Sequence, residues 1–357
     1  MQMSDLQTAI KRAAADAGFD FCGIASATGS PDLEYFPEWI AKGRAGEMKY
    51  MEARDENGDL KRASLARVAP WARSVIVCAI NYNTEQPYSV DARDPDCGWI
   101  SRYAWSREDY HDAVLRRLRQ VESILQSTVK AGPQEALMTR CYVDTGPIVE
   151  RALAKYAGVG WIGKNTCLIN QTKGSWLFLG VILTALNLKP DLPAPDRCGT
   201  CTRCIEACPT DAIVAPHELD PNRCISYLTI EKKGSIPEEL RVGVGRHVFG
   251  CDICQDVCPW NRKAPVSAAA EFEARPKLVN PGLKWLSEIS PEEFRETFRG
   301  SPILRAKRAG IRRNVVIAMG NSGQKKFLPA LERLAEDGDK AIAESAAWAK
   351  SRLQGEV

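Results

Sequence analysis

Nowhere in the 357 residues is there an apolar run of the roughly 20 residues that a bilayer-spanning helix needs. The longest, Trp176 to Leu188 (WLFLGVILTALNL), stops short of that and reads as a buried strand. Histidine is scarce, at three residues. Charge of either sign is not in great excess: the net value of +3 is too small for composition alone to declare a nucleic-acid binder. An apolar fraction of 45% and a charged fraction of 26% exclude wholesale disorder and fibrous repeats. The opening, MQMSDLQTAIKRAAADAGFDFCGIA, lacks a basic segment leading into an apolar core and a small-residue cleavage site, and reads as an amphipathic helix running into a strand. With neither export nor an anchor indicated, a reducing cytoplasm and no membrane contact are expected, and cysteines there are metal ligands more often than disulfide partners.

Cysteine is what the chain has in quantity, thirteen in all. Cys198-x2-Cys201-x2-Cys204-x3-Cys208-Pro209 is the bacterial ferredoxin spacing, in which three thiolates bind one cubane and the fourth, before proline, ligates a second. An imperfect copy follows as Cys251-x2-Cys254-x3-Cys258-Pro259, preceded by the isolated Cys224. Exchanging the fourth ligands gives one 4Fe–4S cluster on Cys198, Cys201, Cys204 and Cys258, and another on Cys208, Cys224, Cys251 and Cys254. The insertion at 225–250 offers a place for contacts to something else. Cys-x2-Cys pairs also bind tetrahedral zinc, but three cysteines in a row at that spacing and two Cys-Pro endings point to cubanes. Cys22, Cys78, Cys97, Cys141 and Cys167 are scattered and read as small buried hydrophobes.

The expected fold is mixed α+β or α/β, in three consecutive parts. Residues 1–190 alternate helices (4–17, 34–50, 107–129, 147–157) with strands (20–25, 74–80, 138–143, 177–186), giving a sheet covered by helices. Residues 191–265 form the two-cluster ferredoxin-like part, set off by Pro190, Pro193 and Pro195. Residues 266–357 are helical, and Ile311–Met319, Phe327–Ala335 and Lys340–Leu353 have the pattern of one HEAT-like repeat. Between Arg295 and Lys326 lie Arg299, Arg305, Lys307, Arg308, Arg312, Arg313 and Lys325, with Glu296 the one acid, so this stretch is either a phosphate-binding surface or a solvated helix face.

In CYVDTGPIVERALAKYAGVGWIGKN, Asp144 ends an expected strand before Gly146-Pro147, with Arg151 and Lys155 on the helix behind it. Gly158, Gly160 and Gly163 suggest a flexible loop ending in Lys164-Asn165. A carboxyl so placed serves as a general acid if burial raises its pKa, or else simply caps the following helix.

VDTGP with the later GWIGKN, RYAWSREDYH at 102–111, the CGTCTRCIEACPT run, RCISYLT at 223–229 and GCDICQDVCPWN at 250–261 together resemble the epoxyqueuosine reductase family, over most of the chain. The resemblance implies a cytoplasmic, cobalamin-dependent iron–sulfur oxidoreductase related to reductive dehalogenases. Such an enzyme removes the epoxide oxygen of epoxyqueuosine at the wobble position of tRNA, the last step of queuosine synthesis. It implies Asp144 as proton donor and cobalamin contacts from Arg62, Ser101, Asp144, Leu168, Ser226 and Asp252. Its partners would be a tRNA anticodon arm and a small electron donor, and a monomer is the simplest state.

The sequence has no D-x-H-x-x-G, so base-off cobalamin with no histidine on cobalt is expected; His111 reads as a packed or capping residue, and His217 and His247 flank the cluster region. A reductive dehalogenase would share the cofactors but carries a twin-arginine export signal that this start lacks. A non-catalytic electron-transfer subunit would leave the first 190 residues and VDTGP without a purpose.

Overall fold

The computed structural model describes residues 3–28, 30–129 and 137–356. Chain contacts divide it into two units, each assembled from separated segments. The first draws on the described residues of Met1–Asn83, Tyr110–Cys201 and Pro259–Glu271, and the second on those of Thr84–Asp109, Thr202–Cys258 and Phe272–Val357. No helix among the described residues is long and apolar enough to cross a membrane.

The first unit is built on α1 (Met3–Asp16), β1 (Phe21–Ser26), β2 (Ser74–Asn81), α2 (Tyr110–Val129), β3 (Thr139–Tyr142), α3 (Glu150–Tyr156) and β4 (Leu177–Thr184). The strands form one sheet in the order β1-β2-β4-β3, antiparallel at every pairing. Every residue of β2 is buried, which is why SVIVCAIN carries no polar alternation. Its odd-numbered members Val75, Val77 and Ala79 join Val181, Leu183, Leu153 and Ala154 in one core cluster, so α3 covers that face. Helix α2 covers the other. There Gly180 lets it come close, since a Cβ at this position would stand 2.8 Å from Leu118 and 2.9 Å from Val114.

Two expected elements differ. The helix expected over 34–50 is a short one, Phe36–Ala41, followed by turns, because Gly43 and Gly46 take φ of 67° and 54° and break the ladder. The loop expected around Gly158–Gly163 is instead a hairpin in which Trp161–Ile162 pairs with Leu168–Ile169. Gly160 sits so close to its partner strand that a Cβ would be 2.3 Å from the Ile169 carbonyl oxygen.

The second unit carries the paired one-turn helices Arg203–Glu206 and Ile253–Asp256, one in each cysteine motif. It also contains α4 (Ile225–Ile230), β5 (His247–Phe249), α5 (Lys307–Asn321), α6 (Leu328–Leu334) and α7 (Lys340–Gln354). Strand β5 runs parallel to the short strand Trp99–Ile100. Helix α5 is buried from Val315 through Gly320, and Gly320 lets α7 approach: a Cβ there would be 2.8 Å from that of Ala349. The mixed α/β character expected from the sequence is what the chain adopts.

Candidate active site and cluster ligands

No disulfide links any of the thirteen cysteines, all of which lie among the described residues. Cys198 and Cys201 belong to the first unit, and Cys204, Cys208, Cys224, Cys251, Cys254 and Cys258 to the second. Each motif folds as a cysteine-bearing turn entering a one-turn helix that ends at Cys-Pro, because proline lacks the N–H needed to continue the ladder. Within the second unit the Cys251 thiol is buried beside Cys224 and Cys208. Burial pushes it well above the ordinary thiol value, with Cys224, Asp252 and Cys208 adding to the effect. Thiolates are the ligands that an iron–sulfur cluster takes, and cysteine at these positions is the donor chemistry such a cluster requires. The backbone of Ala212 donates to Cys208 Sγ at 3.3 Å, the kind of N–H···S contact that tunes a cluster.

On the first-unit side, Lys164 ends the hairpin by donating to the carbonyls of Gly199 at 2.7 Å and Cys201 at 3.0 Å. The GWIGKN segment therefore braces the first cysteine loop. Arg151 donates to the Thr166 carbonyl at 2.7 Å, and Lys155 pairs with Asp32 at 2.8 Å.

Asp252, 1% exposed, has both carboxylate oxygens engaged. It accepts from Trp99 Nε1 at 3.0 Å, from the Arg102 amide at 2.7 Å and from the Ser101 hydroxyl. Burial raises its pKa, against the lowering effect of these donors. Ser101 and Asp252 are thus brought into direct contact. Ser226 is half-buried on α4, one turn before Thr229, whose Oγ1 accepts from the Gly250 amide at 2.9 Å. Arg102, fully buried, donates to the carbonyls of Thr84 at 2.9 Å, Gln86 at 2.9 Å and Pro87 at 3.0 Å.

Asp144 follows β3 in a left-handed conformation with φ of 55°, which costs on the order of 1 kcal/mol for a non-glycine residue. Its side chain is 58% exposed, so it is open to a ligand, and burial, one of the two alternatives left open by the sequence, is not what sets its environment. Nor does it cap the following helix, whose N-cap is Val149. Oδ2 accepts from Tyr110 Oη at 2.7 Å and lies 3.5 Å from His111 Nε2. Tyr110 is stacked between His111, with centroids 4.0 Å apart, and Phe178, at 4.5 Å and 4° between planes.

Arg62, 8% exposed, holds the loop from beneath by donating to the Gly146 carbonyl at 3.1 Å and to that of Tyr50. Burial lowers its pKa, while Glu150, Tyr50 and Asp144 act in the opposite sense. Glu150 opens α3 with Oε1 shielded from solvent and without a hydrogen-bond partner. Burial pushes its carboxyl up to about 7, and the Asp144 charge adds to this. Leu168 is 4% exposed in the hairpin.

Of the six expected corrinoid contacts, Arg62, Asp144 and Leu168 lie in the first unit and Ser101, Ser226 and Asp252 in the second. The structure joins Arg62 to the Asp144 loop and Ser101 to Asp252. Cobalamin offers many peripheral amides, and the exposed Asp144 carboxylate is a polar group accessible to one. Arg62 instead fixes backbone carbonyls, and Asp252 fixes the Trp99 and Ser101 side chains and the Arg102 amide. Sequence reasoning left Tyr110, His111 and Glu150 out of the site; the signals available were the consecutive Tyr-His at a helix start and the acid six residues beyond Asp144.

The basic stretch is largely consumed internally. Arg313 is 2% exposed and donates to the carbonyls of Lys232, Gly234 and Leu228. Arg312 pairs with Asp337 at 2.8 Å, Arg305 with Glu231 at 2.6 Å, and Lys326 with Asp96. Asn314 donates to Thr229 and Val248, so much of the inner side of the 225–250 insertion is packed on α5.

Residues 62–145 match the family model described as "Epoxyqueuosine reductase QueG, DUF1730", and residues 197–261 match the "4Fe-4S double cluster binding domain". An epoxyqueuosine reductase of Xanthomonas campestris is 40% identical over 349 residues, covering 97% of this chain and 96% of its own. One from Synechocystis is 44% identical over 278 residues, covering 77% and 91%. A crystal structure of an epoxyqueuosine reductase with a tRNA-Tyr epoxyqueuosine-modified stem loop superposes with a TM-score of 0.86 at 31% identity, covering 99% of this chain and 91% of that one. With a 4Fe–4S double-cluster domain and likeness along nearly its full length, the chain belongs to the epoxyqueuosine reductase family and is an oxidoreductase that reduces epoxyqueuosine to queuosine.

Proposed function

We propose that the chain acts on epoxyqueuosine carried at the wobble position of a tRNA anticodon arm, in the cytoplasm and as a monomer, with two 4Fe–4S clusters and base-off cobalamin that takes no histidine on cobalt. The observation that carries this reading is the Asp144 carboxylate, exposed, conformationally strained and anchored by Tyr110 at 2.7 Å. The clusters, one on Cys198, Cys201, Cys204 and Cys258 and the other on Cys208, Cys224, Cys251 and Cys254, supply single electrons, and a bound corrinoid supplies a strongly reducing, nucleophilic metal that side chains cannot.

The chain's own residues do the rest. Asp144 delivers a proton to the departing epoxide oxygen, and Tyr110 keeps that carboxyl aimed by donating to Oδ2. Arg62 fixes the loop carrying Asp144 through the Gly146 carbonyl. Asp252 holds the Ser101 hydroxyl, the Trp99 indole and the Arg102 amide against the Cys251 loop, and Ser226 and Leu168 would contribute further contacts to the corrinoid. The relative crystallised with a modified stem loop supports tRNA as the substrate carrier. The three helices α5–α7 are read as one HEAT-like repeat that serves that substrate.

Metal analysis of anaerobically purified protein tests this: about eight irons and one cobalt per chain are expected. Eight irons with no capacity to take up cobalamin would overturn the corrinoid reading. Asp144→Asn should retain both cofactors and lose turnover of epoxyqueuosine-containing tRNA by at least about 100-fold.

A further inference from the structure

We propose that His111 returns a proton to Asp144 within each turnover, so that one carboxyl delivers both of the protons the reaction consumes. The proposal rests on Asp144 being the acid. Converting an epoxide to an alkene breaks two C–O bonds, takes up two electrons and two protons, and releases the oxygen as water. The electrons come from the external reductant of the established activity. Opening the ring takes the first proton and leaves a hydroxyl, and loss of that hydroxyl as water takes the second. Asp144 holds one proton at a time, so it must be reloaded while the substrate is bound.

The geometry identifies the reloading group. His111 Nε2 stands 3.5 Å from Asp144 Oδ2, the oxygen that Tyr110 also contacts. That separation is at the outer edge of hydrogen-bond reach, and catalytic contacts commonly tighten when substrate is bound. Nε2 is shielded from solvent, yet the His111 side chain as a whole is 27% exposed. An imidazolium carries a proton on each nitrogen and gives the one on Nε2 to the carboxylate, which leaves the neutral ring protonated on Nδ1; Nε2 is reprotonated when the ring turns outward between turnovers. Its position is set by ring stacking: Tyr82 lies 4.2 Å from Phe178, Phe178 4.5 Å from Tyr110, and Tyr110 4.0 Å from His111. The stack therefore holds the imidazole with Nε2 towards Asp144. The Asp144 carboxylate and the Tyr110 ring are among the groups facing it. Arg62 and Glu150 act on Asp144 in turn.

The Asp144 carboxylic acid becomes carboxylate on the first transfer, the imidazolium restores it, the second transfer leaves carboxylate again, and after product release solvent returns one proton to Asp144 and one to the imidazole. His111→Phe keeps an aromatic ring for Tyr110 to stack on, His111→Gln keeps a polar group, and neither carries an exchangeable acid. Both should lower kcat by about 10- to 100-fold and remove the alkaline limb of the wild-type pH profile. His111→Ala should be rescued by added imidazoles, with rates ordered by imidazolium pKa. Independently of turnover, histidine C2-hydrogen exchange followed by mass spectrometry on the cofactor-loaded protein should give a His111 midpoint that falls in Asp144→Asn.

Full activity with an unchanged alkaline limb in His111→Phe and His111→Gln would overturn the proposal while leaving Asp144 as the acid. A His111 midpoint indifferent to Asp144→Asn would overturn it as well, even if the variants were inactive through misfolding. Full activity of Asp144→Asn would instead remove the underlying reading.

Discussion

Arg313 Nη2 donates to the Leu228 carbonyl at 2.8 Å, at the heart of a junction where one guanidinium also reaches the carbonyls of Lys232 and Gly234, each at 2.7 Å. This member of the basic stretch is a buried strut between α5 and the insertion. Arg313→Ala leaves three carbonyls without their donor. It should lower stability by roughly 2–5 kcal/mol, read as an early thermal transition with loss of bound iron. By contrast Arg299, Lys307 and Lys325 are exposed. Charge reversal at Lys307 and Lys325 should leave the fold intact and reduce the slope of log affinity for tRNA against log salt by roughly one unit for each phosphate no longer neutralised. An unchanged slope would show those lysines to be merely solvated.

The interleaved assignment of cysteines has a spectroscopic consequence. Cys208→Ala, in the first motif, should leave the same residual cluster signal as Cys251→Ala, in the second, because both strip the cluster that Cys224 also serves. Cys204→Ala should leave the other. Iron should fall from about eight to about four per chain in each case. Electron paramagnetic resonance of the reduced proteins decides it: if Cys208→Ala resembles Cys204→Ala, each motif holds its own cluster.

Asp252 satisfies Trp99, Ser101 and the Arg102 amide from a position 1% exposed. Asp252→Ala strands three buried donors and should cost roughly 3–5 kcal/mol. Asp252→Asn keeps the shape but presents an amide donor to one of the same partners, and should cost less. Apparent Tm and cobalamin retention measured together separate the two contributions. Loss of cobalamin from Asp252→Asn at unchanged Tm would mean that this side chain touches the corrinoid directly.

Glu150 carries a pH signature. Unfolded, it ionises near the ordinary glutamate value; folded, burial holds its carboxyl up to about 7. Between those values the folded chain keeps a proton that the unfolded chain has lost, so stability falls as pH rises through the window and levels off above it. Glu150→Gln should therefore be more stable than the parent by ~1–2 kcal/mol at about pH 8, after allowance for solvent screening, and the gain should shrink towards about pH 5. Denaturant midpoints across that range measure it. A gain that grew towards acid would mean that Glu150 is held ionised by Arg62.

How much could be read beforehand varied with the range of the interaction. The strands came from local signals: SVIVCAIN in β2 and LFLGVILT in β4 are continuous apolar runs because both faces of the sheet are covered. The helices of the C-terminal region were equally legible, their ends shifting by only a few residues. The helix expected over 34–50 failed at Gly43 and Gly46, where left-handed backbone outweighed an apolar pattern. Asp144 was legible as a residue at a strand end, but its exposure could not be inferred, nor could its partners 33 and 34 positions earlier.

By itself the sequence determined the cysteine chemistry, because cluster ligation is written in spacings of two and three residues and in proline after the last ligand. It also determined the family, because VDTGP, GWIGKN and the two cysteine runs are contiguous strings. What only the tertiary structure decided is which polar groups face one another. The Tyr110–Asp144–His111 constellation depends on α2 crossing the sheet at Gly180, and the burial of Arg313 depends on α5 packing against α4. Side chains far apart in the chain acquire their charge states and duties from neighbours that no local pattern names.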